Sequence, residues 1–275
     1  MGVRSSATCV ETDDVKIVID PAVALAPNRY GLAPHPVEER AKTELWGIIK
    51  DEVRDADVLV ISHYHFDHVD PDEPELYSDK VALVKHPSRM INPSQKRRAA
   101  SFLRSIKGIA KGVNFADGRI YRFGDTEIRF SKPVPHGSNI RRGYVVETCV
   151  SEDIKFLHTS DVQGPVLPEQ VEFILEEGPE VVFCDGPTTY LDHPETRTEI
   201  RRANDNLQMI LNMGSVKRLV LDHHLTRDLE YLSHIEPTLR VGKELGVSVQ
   251  VAADFLDREP YFLEARRREL HGEEH

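Results

Sequence analysis

The sequence has little cysteine: Cys9, Cys149 and Cys184 are the only three in 275 residues. Scattered thiols without CxxC spacing exclude a disulfide-stapled secreted scaffold and argue against thiolate metal ligation. Cys149 and Cys184 fall in strand-like contexts and are expected as buried free thiols of a reduced, cytoplasmic protein. Long apolar runs are missing too. None approaches the roughly 18 residues that span a bilayer, so no membrane partner is expected. The first nine residues lack the apolar core of a secretory signal, and Gly2 with Ser6 meets the N-myristoylation pattern only formally. Positive charge is in the minority. The 35 Lys and Arg against 46 Asp and Glu give a net −11, which disfavours general nucleic-acid binding. Acid is absent from one stretch, residues 85–115, which carries Lys85, Arg89, Lys96, Arg97, Arg98, Arg104, Lys107 and Lys111. That patch hints at an anionic substrate, with a solvated helix face as the plainer alternative.

No repeat or low-complexity linker interrupts the chain. A single domain over residues 1–265 with a polar, frayed tail over 266–275 is therefore expected. Periodicity predicts strands at 9–11 and 14–20, the second ended by Pro21, then a helix over 37–53 and strands at 58–62 and 81–84. A helix capped by Asn92 or Ser94 is expected to run to Lys111, with Gly112 beyond it and Arg104, Lys107 and Lys111 on its polar face. Strands follow at 119–123, 126–131, 144–150 and 154–158, then helix 170–177, strand 181–184, helix 196–213, strand 218–221, helix 228–245 and strand 247–252. Such an order suggests stacked sheets with helices outside, an α/β fold.

The most informative stretch is His63-Tyr64-His65-Phe66-Asp67-His68, directly after the apolar run Val58-Leu59-Val60-Ile61-Ser62. In extended backbone residues i and i+2 face the same way, so His63 and His65 can hold one ion while Asp67 and His68 turn toward a second. Imidazole and carboxylate suit zinc and its borderline neighbours, and a histidine-rich solvated loop is the bland alternative. Other candidates sit where predicted strands give way to loops: His136 in Pro133-Val134-Pro135-His136-Gly137, Asp161 after Phe156-Leu157-His158, and His223-His224 after Leu219-Val220-Leu221-Asp222. Each alone is more often structural; together they supply partners for the cluster. His35, His86, His193, His234, His271 and His275 lack this context and read as surface or structural residues.

The chain resembles the metallo-β-lactamase superfamily. The matching residues are Ile17-Val18-Ile19-Asp20-Pro21, then His63-x-His65-x-Asp67-His68, His136, Asp161 and His223, in the family's order over most of the chain. The resemblance implies a four-layer αββα sandwich and two divalent ions, Zn2+ by default with Mn2+ or Fe2+ as alternatives. It assigns His63, His65 and His136 to the first ion, Asp67, His68 and His223 to the second, and Asp161 to both. Asp222-His223-His224-Leu225-Thr226-Arg227 resembles the tRNA-processing and phosphodiesterase branches, where the ligand histidine precedes an arginine by four residues. That favours His223 over His224 as the last ligand. Asp20 and Asp185 are expected to orient ligand imidazoles from behind. The long projecting arm of the tRNA-processing nucleases has no equivalent, nor has the His-x-Glu-x-Asp motif of the redox di-iron branch. The stretches at 2–8, 158–164 and 222–228 look most like an uncharacterised branch of predicted metal-dependent hydrolases.

A dinuclear site of this kind implies hydrolysis by a metal-bridging hydroxide, formed near neutral pH because the ions acidify bound water. Asp67 is expected to steer the water or accept its proton, and His224 to protonate the leaving group. The favoured substrate is a phosphodiester or other phosphorylated small molecule, with the basic stretch and Arg227 supplying positive charge. A lactone or thioester hydrolase is the runner-up. A non-catalytic, metal-stabilised nucleic-acid-binding protein is the third reading, and the oligomeric state is left open.

Overall fold

The computed structural model describes residues 2–191 and 193–273. Its first sheet runs in the order β1 (Thr8–Glu11), β2 (Lys16–Ile19), β3 (Val58–Ile61), β4 (Val81–Val84), β5 (Gly112–Phe115). β1 is antiparallel to β2 and the remaining neighbours are parallel. The second sheet is built from β6 (Ile120–Phe123), β7 (Thr126–Phe130), β10 (Thr148–Ser151), β11 (Lys155–His158), β12 (Val181–Asp185), β13 (Arg218–Asp222) and β14 (Ser248–Gln250). Its order is β14-β13-β12-β11-β10-β7-β6, parallel from β11 to β14. A two-residue ribbon, β8 (Val134–Pro135) against β9 (Tyr144–Val145), stands apart.

Every residue of β3 is buried, as expected of a strand covered on both faces. Val58 and Val60 point between the sheets, where they meet Ile17, Ile19, Leu83, Ile128, Phe130 and Val150. Leu59 and Ile61 point the other way, onto α1 (Pro36–Arg54) and α2 (Pro93–Ser105), through Ile49, Val53, Ala99 and Phe102. A third cluster joins Leu157, Val182, Cys184, Leu219 and Leu221 to Val171 and Ile174 of α3 (Glu169–Glu177) and to Leu207 and Ile210 of α4 (Pro194–Asn212). Three apolar seams between four layers make the αββα sandwich that the period-2 alternation of the strands allows. Cys149 and Cys184 are buried free thiols, and Cys9 is exposed. Among the described residues no helix is long and apolar enough to cross a membrane.

Several expected elements are corrected. α2 is capped by the Asn92 side chain, which accepts from the Gln95 amide, but it ends at Ser105 rather than Lys111. Gly108 takes a positive φ of 81°, and the Lys111 amide bonds to Lys80 carbonyl at 2.9 Å, which draws the chain onto β4 as a fifth strand. The expected helix over 228–245 is two, α5 (Tyr231–His234) and α6 (Glu236–Leu245), because Pro237 has no N–H to continue a ladder and fits only a first turn. β14 is shortened by α7 (Ala252–Phe255).

The frayed tail from 266 is also corrected. Arg267, in α8 (Arg267–Leu270), is fully buried and grips Glu38 of α1 at 2.8 Å through both Nε and Nη2, while Nη1 donates to Leu32 carbonyl. A guanidinium with a bidentate carboxylate has no reason to leave that position. Glu274 and His275 lie outside the described residues.

One buried acid has no such partner. Glu147 is fully buried, and neither carboxylate oxygen has a hydrogen-bond partner among the described residues. Burial pushes its carboxyl well above the usual range. A folded-state value above the unfolded one means stability that is present at acid pH and falls as pH rises toward the folded value. Glu147→Met is therefore expected to raise the melting temperature at pH 8 and to change it less at pH 4. The gain should be roughly 2–4 °C for each kcal/mol recovered, read by calorimetry at the two pH values.

Candidate metal centre

The site forms where parallel strands of both sheets end, the usual place for ligands in open α/β sheets. β2 ends into Asp20, β3 into His63, β11 into Asp161, β12 at Asp185 and β13 into His223. Three of these exits need left-handed backbone: Asp20, Ser160 and His223 have φ of 51°, 56° and 59°. Such conformations cost on the order of 1–3 kcal/mol outside glycine and collect at functional sites.

Two groups of side chains come together there. His63, His65, His136 and Asp161 have ligand atoms within 4.8 Å of one another, and so do Asp67, His68, Asp161 and His223. Asp161 belongs to both. Its Oδ2 lies 3.3 Å from His136 Nε2 and 3.7 Å from His63 Nε2; its Oδ1 lies 3.1 Å from His68 Nε2 and 3.4 Å from His223 Nε2. Asp67 Oδ2 is 3.5 Å from His223 Nε2, and His65 Nδ1 is 3.0 Å from His63 Nε2. Despite this crowding, among the described residues His68 Nε2, His136 Nε2 and Asp161 Oδ1 have no hydrogen-bond partner although all are buried. Buried nitrogen and oxygen donors turned on one another suit a cation, and the donor set is the one zinc takes.

The rear of the site is hydrogen-bonded behind His63 and His68. Asp20 Oδ2 accepts from His68 Nδ1 at 2.8 Å and from the Ser62 hydroxyl at 2.6 Å, while its Oδ1 accepts from the Ser62 amide. Ser6 Oγ lies 3.0 Å from the same His68 nitrogen, and Ser62 Oγ lies 2.6 Å from Ser160 Oγ. His63 Nδ1 stands 3.1 Å from Ser62 Oγ. His68 thus has Nδ1 held by Asp20 and Nε2 turned to the site, whereas among the described residues His136 Nδ1 and His223 Nδ1 are buried without a hydrogen-bond partner. Ser6, Ser62 and Ser160 carry no spacing signal in the sequence. His158 is a further buried ring, stacked on Phe183 with Nε2 3.1 Å from Ser6 carbonyl; burial pulls its pKa down to about 4.

Electrostatics divides the histidines. Burial, then the neighbouring His68 and His65, pushes His63 well below its usual range, and burial brings His65 to about 4. Burial opposes charge on His68 as well, but Asp161, Asp20 and Asp67 outweigh it and hold that ring well above its usual value. Asp161 is held well below the carboxylate range: burial works against it, and His68 and His223 prevail.

His223 falls in the second group and His224 outside both. Asp185 occupies His224 Nδ1 with both oxygens at 2.9 Å, and His224 Nε2 faces the Gln163 amide at 3.1 Å. Burial, reinforced by Asp161, raises Asp185 to about 7. Asp161, Asp185 and His224 form a third set close enough to share an ion.

The rim is polar amide and arginine. Gln95, in the first turn of α2, lies 3.4 Å from His65 Nε2 and donates to Arg142 carbonyl, and the Arg142 guanidinium reaches Gln163 Oε1. Gly137 has φ of 70°, and a Cβ there would stand 2.2 Å from Gln163 Oε1. The basic stretch does not act as one surface. Lys85 is fully buried, bound to Asp117 at 2.9 Å and to Arg89 carbonyl. Lys107 and Lys111 precede β5, whose first residue is in register with the first of β4, at the end of the sheet away from the histidines. Arg98 does contact the motif: its guanidinium stacks 4.3 Å over Phe66.

This arrangement of layers and strand ends defines a protein of the metallo-β-lactamase fold carrying a candidate dinuclear centre. Among solved structures, the isothiocyanate hydrolase from Delia radicum gut bacteria superposes with a TM-score of 0.55 at 16% identity, covering 90% of this chain and 94% of its own. A possible metal-dependent hydrolase from Veillonella parvula does so with 0.55 at 15%, covering 91% and 94%. No family model matches the sequence. The UPF0282 protein of Metallosphaera sedula is 46% identical over 280 residues, spanning 100% of this chain and 90% of that protein. The chain belongs to the UPF0282 protein family.

Proposed function

We propose that this chain is a dinuclear metal-dependent hydrolase acting on a phosphodiester or another phosphorylated substrate. The observation that carries the reading is the division of Asp161, one oxygen toward His63 and His136, the other toward His68 and His223. In this reading His63, His65 and His136 hold one ion, Asp67, His68 and His223 the other, and Asp161 both. Two divalent ions, Zn2+ or with the same donors Mn2+ or Fe2+, supply Lewis acidity and an acidified water when bound.

The protein's own groups do the rest. Asp20 holds His68 at Nδ1, which keeps Nε2 directed at the shared carboxylate. Asp67 steers the attacking water through its carboxylate. Asp185 holds His224 at Nδ1 and leaves Nε2 toward the site; burial, then Arg227 and His223, holds the ring well below its usual range, so Nε2 must first take a proton from the attacking water before passing it to the leaving oxygen. Arg227, beside His223, and Arg142, on the rim, favour an anionic substrate over a neutral ester.

The test is turnover of bis-p-nitrophenyl phosphate by zinc-loaded protein, with inorganic phosphate as a competitive inhibitor. Hydrolysis of a lactone or thioester alone, indifferent to phosphate, would replace this reading with the runner-up. A salt-sensitive gel shift without hydrolysis of any ester class would revive nucleic-acid binding.

A further inference from the structure

We propose that Arg227 and Arg29 together form an oxyanion-recognition site beside the metal centre, built to take a phosphoryl group of the substrate. The inference rests on the hydrolase reading above and deepens it, because Arg227 abuts His223 of the second ligand group and Arg29 contacts Arg227.

Arg227 follows β13 in a short 3-10 turn, is buried, and places Nη2 3.0 Å from His223 Nε2. Arg29 comes from the loop between β2 and α1, and its Nη2 donates to Arg227 carbonyl and to the Tyr30 hydroxyl, each at 3.2 Å. Its guanidinium lies 4.5 Å from the centres of both the Tyr30 and the Tyr190 rings, which fix its plane. Neither arginine has a carboxylate within ion-pair distance among the described residues, and both Nε atoms are buried without an acceptor.

Glu264 is close enough to feel both charges, but Arg4 takes it at 2.7 and 2.8 Å through Nε and Nη2. Asp67 and Asp161, which also act on Arg227, face the candidate ions. Burying a cation without a counter-charge is costly, and removing a partner from such a group costs far more than a surface charge does. Two guanidinium groups, Arg227 buried and Arg29 half-buried, that among the described residues lack a carboxylate at ion-pair distance and keep an Nε–H without an acceptor therefore point to an acceptor arriving from outside. A guanidinium presents a planar fork that matches two oxygens of a phosphoryl group. Were His223 Nε2 to hold an ion, the adjacent Arg227 Nη2 would be a further donor for the same anion.

A carboxylate has the same fork chemistry, so the experiment separates the two. Zinc-loaded full-length protein is titrated calorimetrically with inorganic phosphate and, separately, with acetate, and its metal content is measured alongside. Arg29→Gln is expected to weaken phosphate binding about tenfold to a hundredfold, the loss of one or two charged hydrogen bonds, with two ions retained and acetate little affected. Should Arg29→Gln lose its metal, Arg227→Lys keeps the charge without the fork and is read the same way. Wild-type phosphate affinity in both variants, or no phosphate binding by the wild type, would overturn the proposal. Equal weakening of acetate and phosphate would overturn the phosphoryl assignment. Titration does not depend on turnover. An inactive protein with arginine-dependent phosphate binding would remove the hydrolase reading and leave the anion site standing.

Discussion

Asp161→Ala is expected to lower kcat/KM on bis-p-nitrophenyl phosphate by about a thousandfold or more, and to reduce bound metal from two ions to one or none. The expectation follows from the shared carboxylate. Its two oxygens face different groups of imidazoles, at 3.3 Å from His136 and 3.1 Å from His68, so a single truncation removes a donor from both. Metal-ion stabilisation of developing charge is worth several kcal/mol, and each 1.36 kcal/mol is about tenfold in rate. Metal analysis by atomic emission and steady-state kinetics on the same preparation check the result. An Asp161→Ala protein with two ions and a wild-type rate would show that the shared position is not a ligand.

Glu38→Ala carries the largest expected effect on stability. Glu38 and Arg267 are both fully buried and meet through two bonds of 2.8 Å, 229 residues apart in sequence. Removing one partner of a buried pair strands the other charge, at a cost of about 3–5 kcal/mol. That loss corresponds to a fall in melting temperature of roughly 2–4 °C per kcal/mol for a chain of this size. The double variant Glu38→Met with Arg267→Met is expected to recover most of it, since apolar replacement of a whole buried pair is often neutral or better. Urea unfolding of the single and double variants decides the matter. A single variant that loses less than about 1 kcal/mol, the range of an exposed pair, would mean that the clasp contributes nothing beyond a surface contact.

Much of the architecture was legible because the strands are short, apolar and bounded by turn residues, as 58–62 shows. β3 (Val58–Ile61) lies inside that span, and its alternate faces meet two different cores. Where reading failed, long-range pairing had overridden local pattern. Residues 106–111 look helical, yet the backbone bond from Lys111 to Lys80 recruits the following residues into a sheet. Arg267 looks like part of a charged tail, because nothing near it in sequence announces Glu38.

The candidate site divides the same way. His63, His65, Asp67 and His68 share one loop and declare themselves. His136, Asp161 and His223 were found only because each follows an apolar strand and matches a known order. Ser6, Ser160, Gln95 and Gln163 were invisible, since serine and glutamine are common and their roles depend on which strand end lies opposite. The basic stretch misled for a related reason: linear charge density carries no information about direction. Lys85 points inward to Asp117, while Lys107 and Lys111 lie at the wrong end of the sheet.

The chain order of the two sheets has a consequence for metal dependence. The first sheet is complete by Phe115 and the second starts at Ile120, so four of the seven convergent donors come from the segment that builds the first sheet and three from the segment after it. Ions held across that boundary would rivet one segment to the other, and their affinity would enter the free energy of folding. Cellular supply of the metal would then govern how long the protein persists as well as how fast it works.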